Sequence, residues 1–177
     1  MSHISTGYLA VDALLARLLG EVKEALGDEL IGLYVYGSLA LGDFDPDSSD
    51  IDFLVATRGI LDDDALATLA AMHARLAASG LAYAQRLEGS YIPLRALRRY
   101  DPADNLHPTI GADWPFGLGP HKTNWIIERQ IIREHSPAFY GPPPSELIDP
   151  VAPAALRAAT HEMLLGFWAQ QLADPAW

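Results

Sequence analysis

Apolar residues recur at helical spacing near the start of the chain, at Leu14, Leu15, Leu18, Leu19, Val22 and Leu26. This predicts an amphipathic helix from about Thr6 to Leu26, closed by Gly27-Asp28. Leu30 to Tyr36 is a short apolar run that reads as a buried strand, after which Gly37-Ser38 forces a sharp turn. Asp43 to Ser49 is a polar loop, and Ile51 to Ala56 a second strand. Asp62-Asp63-Asp64 supplies an N-terminal cap for a second helix, carrying Leu66, Leu69, Ala70, His73, Leu76 and Ala77 and ending near Gly80.

Farther on the pattern is less regular. Tyr83 to Leu94 reads as a third strand with Pro93 at its end or at an edge. Arg95 to Lys122 dissolves into Pro, Gly, Asp and His and reads as one long loop. Trp125 to His135 suits a helix, although its isoleucines leave a strand open. Gly141 to Pro144 is a break, and Pro153 to Leu172 returns to helical periodicity. The order of elements predicts an α/β domain over residues 1–140. Residues 141–177 then form a linker and the beginning of a C-terminal helical domain.

Composition narrows the class. A chain of 177 residues, 50% hydrophobic, can bury one ordinary core. No apolar run approaches the roughly 18 residues a membrane span needs, the start lacks a secretion signal, and there is no cysteine. A cytoplasmic protein without membrane contact is the expectation. Twelve basic residues against 23 acidic ones give a net charge of −11, which argues against a nucleic-acid partner. The same charge suits a cationic small substrate, or simply solubility.

The chemistry concentrates between Tyr36 and Asp52. Gly37 lets the backbone approach a phosphate closely, and Ser38 offers a hydroxyl and an N–H at the start of a short helix, where anions bind. Asp50 and Asp52, two apart at the start of a strand, put both carboxylates on one face with Ile51 turned to the core. Side by side they repel, and a divalent cation removes that cost. Magnesium suits such a pair because it shares carboxylates with substrate phosphates. A calcium loop starting at Asp43-x-Asp45-x-Asp47 is excluded, since Ser48 and Leu54 stand where Gly and Glu are needed.

The stretch resembles the signature of the polymerase-β-like nucleotidyltransferase superfamily: Gly-Ser, a further Gly, then Ser-Asp-x-Asp. Gly37, Ser38, Gly42, Ser49, Asp50 and Asp52 match it in order, with one extra residue between Ser38 and Asp50. Glu134-His135-Ser136 through Tyr140-Gly141-Pro142, and Glu146 through Val151, are similar to the aminoglycoside (streptomycin/spectinomycin-type) adenylyltransferases. The resemblance spans about residues 30 to 151. It implies a small mixed-sheet domain with flanking helices, two Mg2+ ions, and AMP transfer from ATP to a hydroxyl of a small molecule, with antibiotic resistance as the biological setting.

It also implies roles. Asp50, Asp52 and Glu88 become metal ligands and catalytic groups, with Glu88 able to take the acceptor's proton; Gly37, Ser38 and Ser49 hold the nucleotide. Glu88 could instead be a strand-face charge paired with Arg86. His107, His121, Trp114 and Trp125 are candidates for an acceptor pocket or ordinary surface and core residues. Lys122, Arg129 and Arg133 are candidates for the triphosphate or solvated helix charges. Leu164, Phe167, Trp168 and Trp177 lack covering partners if the helical bundle of that branch does not follow, leaving an oligomer contact through this helix. Two other functions stay open: a protein-modifying enzyme of a toxin–antitoxin pair, and a nucleotide-binding module without chemistry.

Overall fold

The computed structural model describes residues 5–111 and 114–173. Eight α-helices and six strands are formed among these residues. Helix α1 (Leu9–Leu26) buries Val11, Leu14, Leu15, Leu18, Leu19, Val22 and Leu26, the one-sided stripe the spacing predicts. Asp12 gathers its first turn, accepting from the Thr6 N–H and hydroxyl and from the Ser5 hydroxyl. Strand β1 (Leu30–Val35) runs into the short helix α2 (Gly37–Leu41), and β2 (Ile51–Thr57) follows the polar loop. Helix α3 (Asp63–Ala77) is capped as expected, the Asp62 side chain accepting from the Ala65 N–H.

The third strand, β3 (Leu87–Pro93), is shorter than predicted because Ala84–Arg86 form a tight helical turn before it. Arg95 to Lys122 is not one loop. It contains most of helix α4 (Leu94–Arg98), then β4 (Leu106–Gly111) and β5 (Trp114–Pro120), which pair as a hairpin. Trp125 to His135 resolves as helix α5 (Asn124–His135). A three-residue strand, β6 (Ala138–Tyr140), follows, then helix α6 (Pro144–Leu147). Helix α7 (Pro153–Met163) continues through a π-helical turn, Leu164–Trp168, into α8 (Ala169–Ala173). Trp177 lies outside the described residues.

The six strands form one sheet in the order β5-β4-β3-β2-β1-β6. β2 and β3 pair in parallel; the other pairs are antiparallel. Helices cover both faces, and the strand residues divide between them at period two. Leu33, Val35, Phe53 and Val55 pack in a core with α1 and α3. Tyr34, Leu54, Ala56 and Ile92 pack on the other side with Leu97, Trp125, Ile132, Leu147 and Ile148. Burial of each such leucine or isoleucine stabilises by roughly 1.5–3 kcal/mol. This two-sided burial explains why β1 and β2 read as continuous apolar runs. Among the described residues no helix is long and apolar enough to cross a membrane.

Candidate active site

The parallel pairing of β2 and β3 sets Asp52 directly opposite Glu88. Their carboxylates open into a cavity of about 350 Å³, whose wall also includes Tyr36, Gly37, His121 and Glu128. Ile51 is fully buried while Asp52 is half-buried, so the strand start presents its faces as the spacing requires. Asp50 precedes the strand by one residue and is also half-buried.

Gly37 explains itself at close range. Its φ is +62°, and a Cβ there would stand 1.9 Å from the Asp52 Oδ2. No side chain fits between the start of α2 and that carboxylate, whatever the need of a phosphate. The Tyr36 N–H donates to the Asp52 carbonyl at 3.1 Å, fastening the turn to the strand. Ser38 occupies the second position of α2, and its carbonyl accepts from the N–H groups of Gly42 and Asp43.

The loop before Asp50 is folded rather than extended. Asp45 accepts from the Asp47 N–H at 3.0 Å and from the Ser48 hydroxyl at 2.7 Å. Ser49 Oγ accepts from the Asp45 N–H at 3.0 Å, which leaves the hydroxyl proton free to donate. Arg86 does not pair with Glu88. Its guanidinium donates to the carbonyls of Pro46 and Ser49 and lies 4.0 Å from the Asp50 carboxylate.

The electrostatics are those of crowded acids. Burial, then the Glu88, Asp50 and Glu128 charges, push the Asp52 carboxyl up to about 7. Glu88 is raised by burial and by Asp50. Glu128 is raised by burial and by Glu88, against a lowering hydrogen bond from the Asn124 side chain at 2.7 Å. Among the described residues no Lys or Arg lines the cavity, and the Arg86 guanidinium lies against Asp50. As placed, no three or more His, Asp or Glu side chains among the described residues gather tightly enough to hold a metal ion. The donor set is nevertheless all oxygen and under-compensated. It fits a hard cation that needs one or two carboxylates and takes its remaining ligands from water and phosphate.

Other sequence candidates divide. His121 and Trp125 line the cavity, their rings 4.6 Å apart, and His121 Nε2 shares a 3.0 Å hydrogen bond with the Ser90 hydroxyl. Burial and the neighbouring His107 bring His121 down to about 4, so it is neutral. His107 sits behind it, buried, its Nε2 3.0 Å from the Asp104 carbonyl. Trp114 lies exposed on the edge strand β5, opposite Gly111. Lys122 is exposed. Arg129 is neither a triphosphate ligand nor a solvated charge: it is buried and donates to the Leu97 and Arg98 carbonyls. Arg133 likewise donates to the Ser145 and Ile148 carbonyls.

Glu128 and Asn124 are the residues that sequence reasoning missed. Asn124, Glu128 and Ile131 all line the cavity and lie at helical spacing i, i+4, i+7 on α5. That signal is readable only once the segment is taken as a helix rather than a strand.

Comparison with known proteins bears on the domain and the fold. Residues 15–76 match the family model described as a nucleotidyltransferase domain. Curated proteins give no match. The chain is similar in fold to a spectinomycin adenyltransferase from Enterococcus faecialis solved with ATP and spectinomycin. The TM-score is 0.66 at 18% identity, over 90% of this chain and 69% of that one. A toxin–antitoxin structure with AMP-PNP aligns with TM-score 0.42 at 17% identity, over 89% of this chain and 98% of that one. A tri-AMPylated Shewanella oneidensis HEPN toxin in complex with MNT antitoxin aligns with TM-score 0.38 at 14% identity, over 91% and 92%.

Proposed function

We propose that this chain, whose residues 15–76 match a nucleotidyltransferase domain, is a polymerase-β-like nucleotidyltransferase that moves AMP from ATP to a hydroxyl of a small cationic acceptor of the aminoglycoside class. The observation that carries the reading is Asp52 facing Glu88 beside the Gly37-Ser38 turn. The acceptor oxygen attacks the α-phosphorus, one P–O bond forms, and the bond to the β-phosphate breaks to release pyrophosphate. Glu88, at the more exposed end of the pair and raised by burial and by Asp50, takes the hydroxyl proton. The N–H groups at the start of α2 and the free Ser38 and Ser49 hydroxyl protons hold phosphate oxygens.

Asp50, Asp52 and Glu88 would hold Mg2+, two ions in all. When bound, Mg2+ neutralises phosphate oxygens and the developing charge on pyrophosphate. Glu128 adds a carboxylate on the helical wall, facing the same cavity, which favours an amine-bearing acceptor. The helices from Pro144 to Ala173 lie on the acceptor side, and Leu164, Leu165 and Phe167 on them are all more than half exposed.

The test is pyrophosphate release from ATP and Mg2+ across a panel of aminoglycosides, with Asp52→Ala beside the unaltered chain. Release that depends on acceptor and disappears in Asp52→Ala is expected. Release that survives the substitution, or none on any acceptor while ATP still binds, sinks the proposal.

A further inference from the structure

We infer that Arg86 is a positioning residue of the donor site, the brace that holds the loop delivering Ser49 and Asp50. The inference rests on the nucleotidyltransferase reading, because it assigns the braced groups to nucleotide and cation. The loop from Asp43 to Asp50 is anchored at its start, where the Asp43 N–H donates to the Ser38 carbonyl, the Tyr8 hydroxyl donates to the Phe44 carbonyl, and the Phe44 ring is buried. Beyond Phe44 its internal bonds close on Asp45, which gathers Asp47, Ser48 and Ser49 into a knot.

Arg86 ties the far part of the loop, from Pro46 to Asp50. Its Nη1 donates to the Pro46 carbonyl at 2.8 Å and its Nη2 to the Ser49 carbonyl, so one planar fork spans the knot. Its Nε lies 4.0 Å from the Asp50 Oδ1, the carboxylate whose charge bears on both Asp52 and Glu88. The guanidinium itself is seated over the Tyr83 ring, 5.4 Å from its centroid, and Tyr83 packs edge-on against Phe44 at the mouth of the same loop. Arg86 also stands immediately before β3, two residues from Glu88. One backbone segment therefore sets both Glu88 and the brace on Asp50. The three carboxylates come from two strand starts, and this guanidinium fixes one start against the other.

A fork is needed, not merely a charge. Lysine at this position would keep the cation but could not bond two carbonyls in one plane. Loss of two charge-assisted hydrogen bonds that only order a surface loop weakens what the loop binds far more than it weakens the core.

The experiment measures Mn2+ binding in the presence of ATP by electron paramagnetic resonance, and thermal melting, for the unaltered chain, Arg86→Gln, Arg86→Lys and the distant control Arg58→Gln. Arg86→Gln is expected to weaken Mn2+ about tenfold. Arg86→Lys should recover less than half of that loss, Arg58→Gln should change nothing, and melting should move by only a few degrees. Unchanged Mn2+ affinity in Arg86→Gln overturns the inference, as does full recovery in Arg86→Lys, which would make charge alone sufficient. If Arg86→Gln does not fold, Arg86→Lys decides by the same affinity measurement. Failure of both to fold would make Arg86 a residue of the fold and overturn its positioning role. An unaltered chain that binds no Mn2+ with ATP would overturn the nucleotidyltransferase reading itself, a result distinct from equal binding by all the variants.

Discussion

Asp52 and Glu88 occupy the same rung of the parallel β2–β3 pair, with Gly37 packed against the Asp52 carboxylate from the third side. Two acids at one rung are a poor way to stabilise a sheet, since like charges directly opposite repel. Their joint position is intelligible as a site and not as a device of the fold.

Asp52→Asn removes the most crowded of these charges. It should abolish pyrophosphate release and yet make the protein more stable, by about 1–2 kcal/mol, or a few degrees in Tm. Calorimetry beside the activity assay checks both halves. A stability loss would mean that the carboxylate is already compensated by a partner.

Gly37→Ala places a methyl group where the Asp52 Oδ2 now sits and strains a φ of +62°. Because α2 is short and half-exposed, the fold should survive with a modest fall in Tm. The displaced carboxylate should lower kcat/KM at least a hundredfold. Steady-state kinetics on a variant with unaltered circular dichroism decides it.

Glu128→Gln keeps the shape of the α5 wall and removes its charge. KM for a polycationic acceptor should rise about fivefold, with kcat and the KM for ATP little changed. Equal effects on charged and neutral acceptors would remove Glu128 from acceptor recognition.

His73 gives the fold an acid limit. It lies buried between the rings of Phe53 and Phe116, its Nε2 2.8 Å from the Tyr91 hydroxyl, and burial lowers it to about 4 from an ordinary 6.5. The folded state resists protonation more than the unfolded one does. This contribution is therefore fully present above about pH 6.5 and is lost as pH falls toward 4. Between pH 7.5 and 4.5 it should remove about 2 kcal/mol of stability. His73→Leu should show a correspondingly shallower acid dependence in urea unfolding, beyond the pH-independent cost of stranding the Tyr91 hydroxyl.

The sequence was most legible where one period held over many residues. Helices α1 and α3 have complete apolar stripes, and α3 has its Asp62 cap, so both stood out; their boundaries moved by only a few residues. The β4–β5 hairpin was hidden by its composition. Pro108, Gly111, Pro115, Gly117, Gly119 and Pro120 argue against strands, but Pro108 lies outside the β3–β4 rungs at Thr109 and Ile110, and β5 is an edge. Gly119 is required there, since a Cβ would stand 2.4 Å from the Thr109 Cγ2. Strand β6 is too short, at three residues, for any period to show.

The site divides in the same way. Gly37, Asp50 and Asp52 lie within one short stretch of chain, so their spacing carried the chemistry. Glu88 needed a resemblance, because nothing local to Arg86-Leu87-Glu88 says which strand it will lie beside. Glu128 depends on a helix brought over the sheet by the β4–β5 hairpin, a placement set by tertiary packing.

The parallel β2–β3 pair has a consequence for the order of assembly. A hairpin would bring two facing residues together early, but parallel strands need a crossover, and here α3 must be formed and docked on the sheet before Asp52 meets Glu88. The acids therefore come face to face only after burial of the α1–α3 core has supplied the energy to hold them. A partly folded chain carries no assembled pair of facing acids, and cation affinity, if the pair confers it, should appear during refolding only with the closure of that crossover.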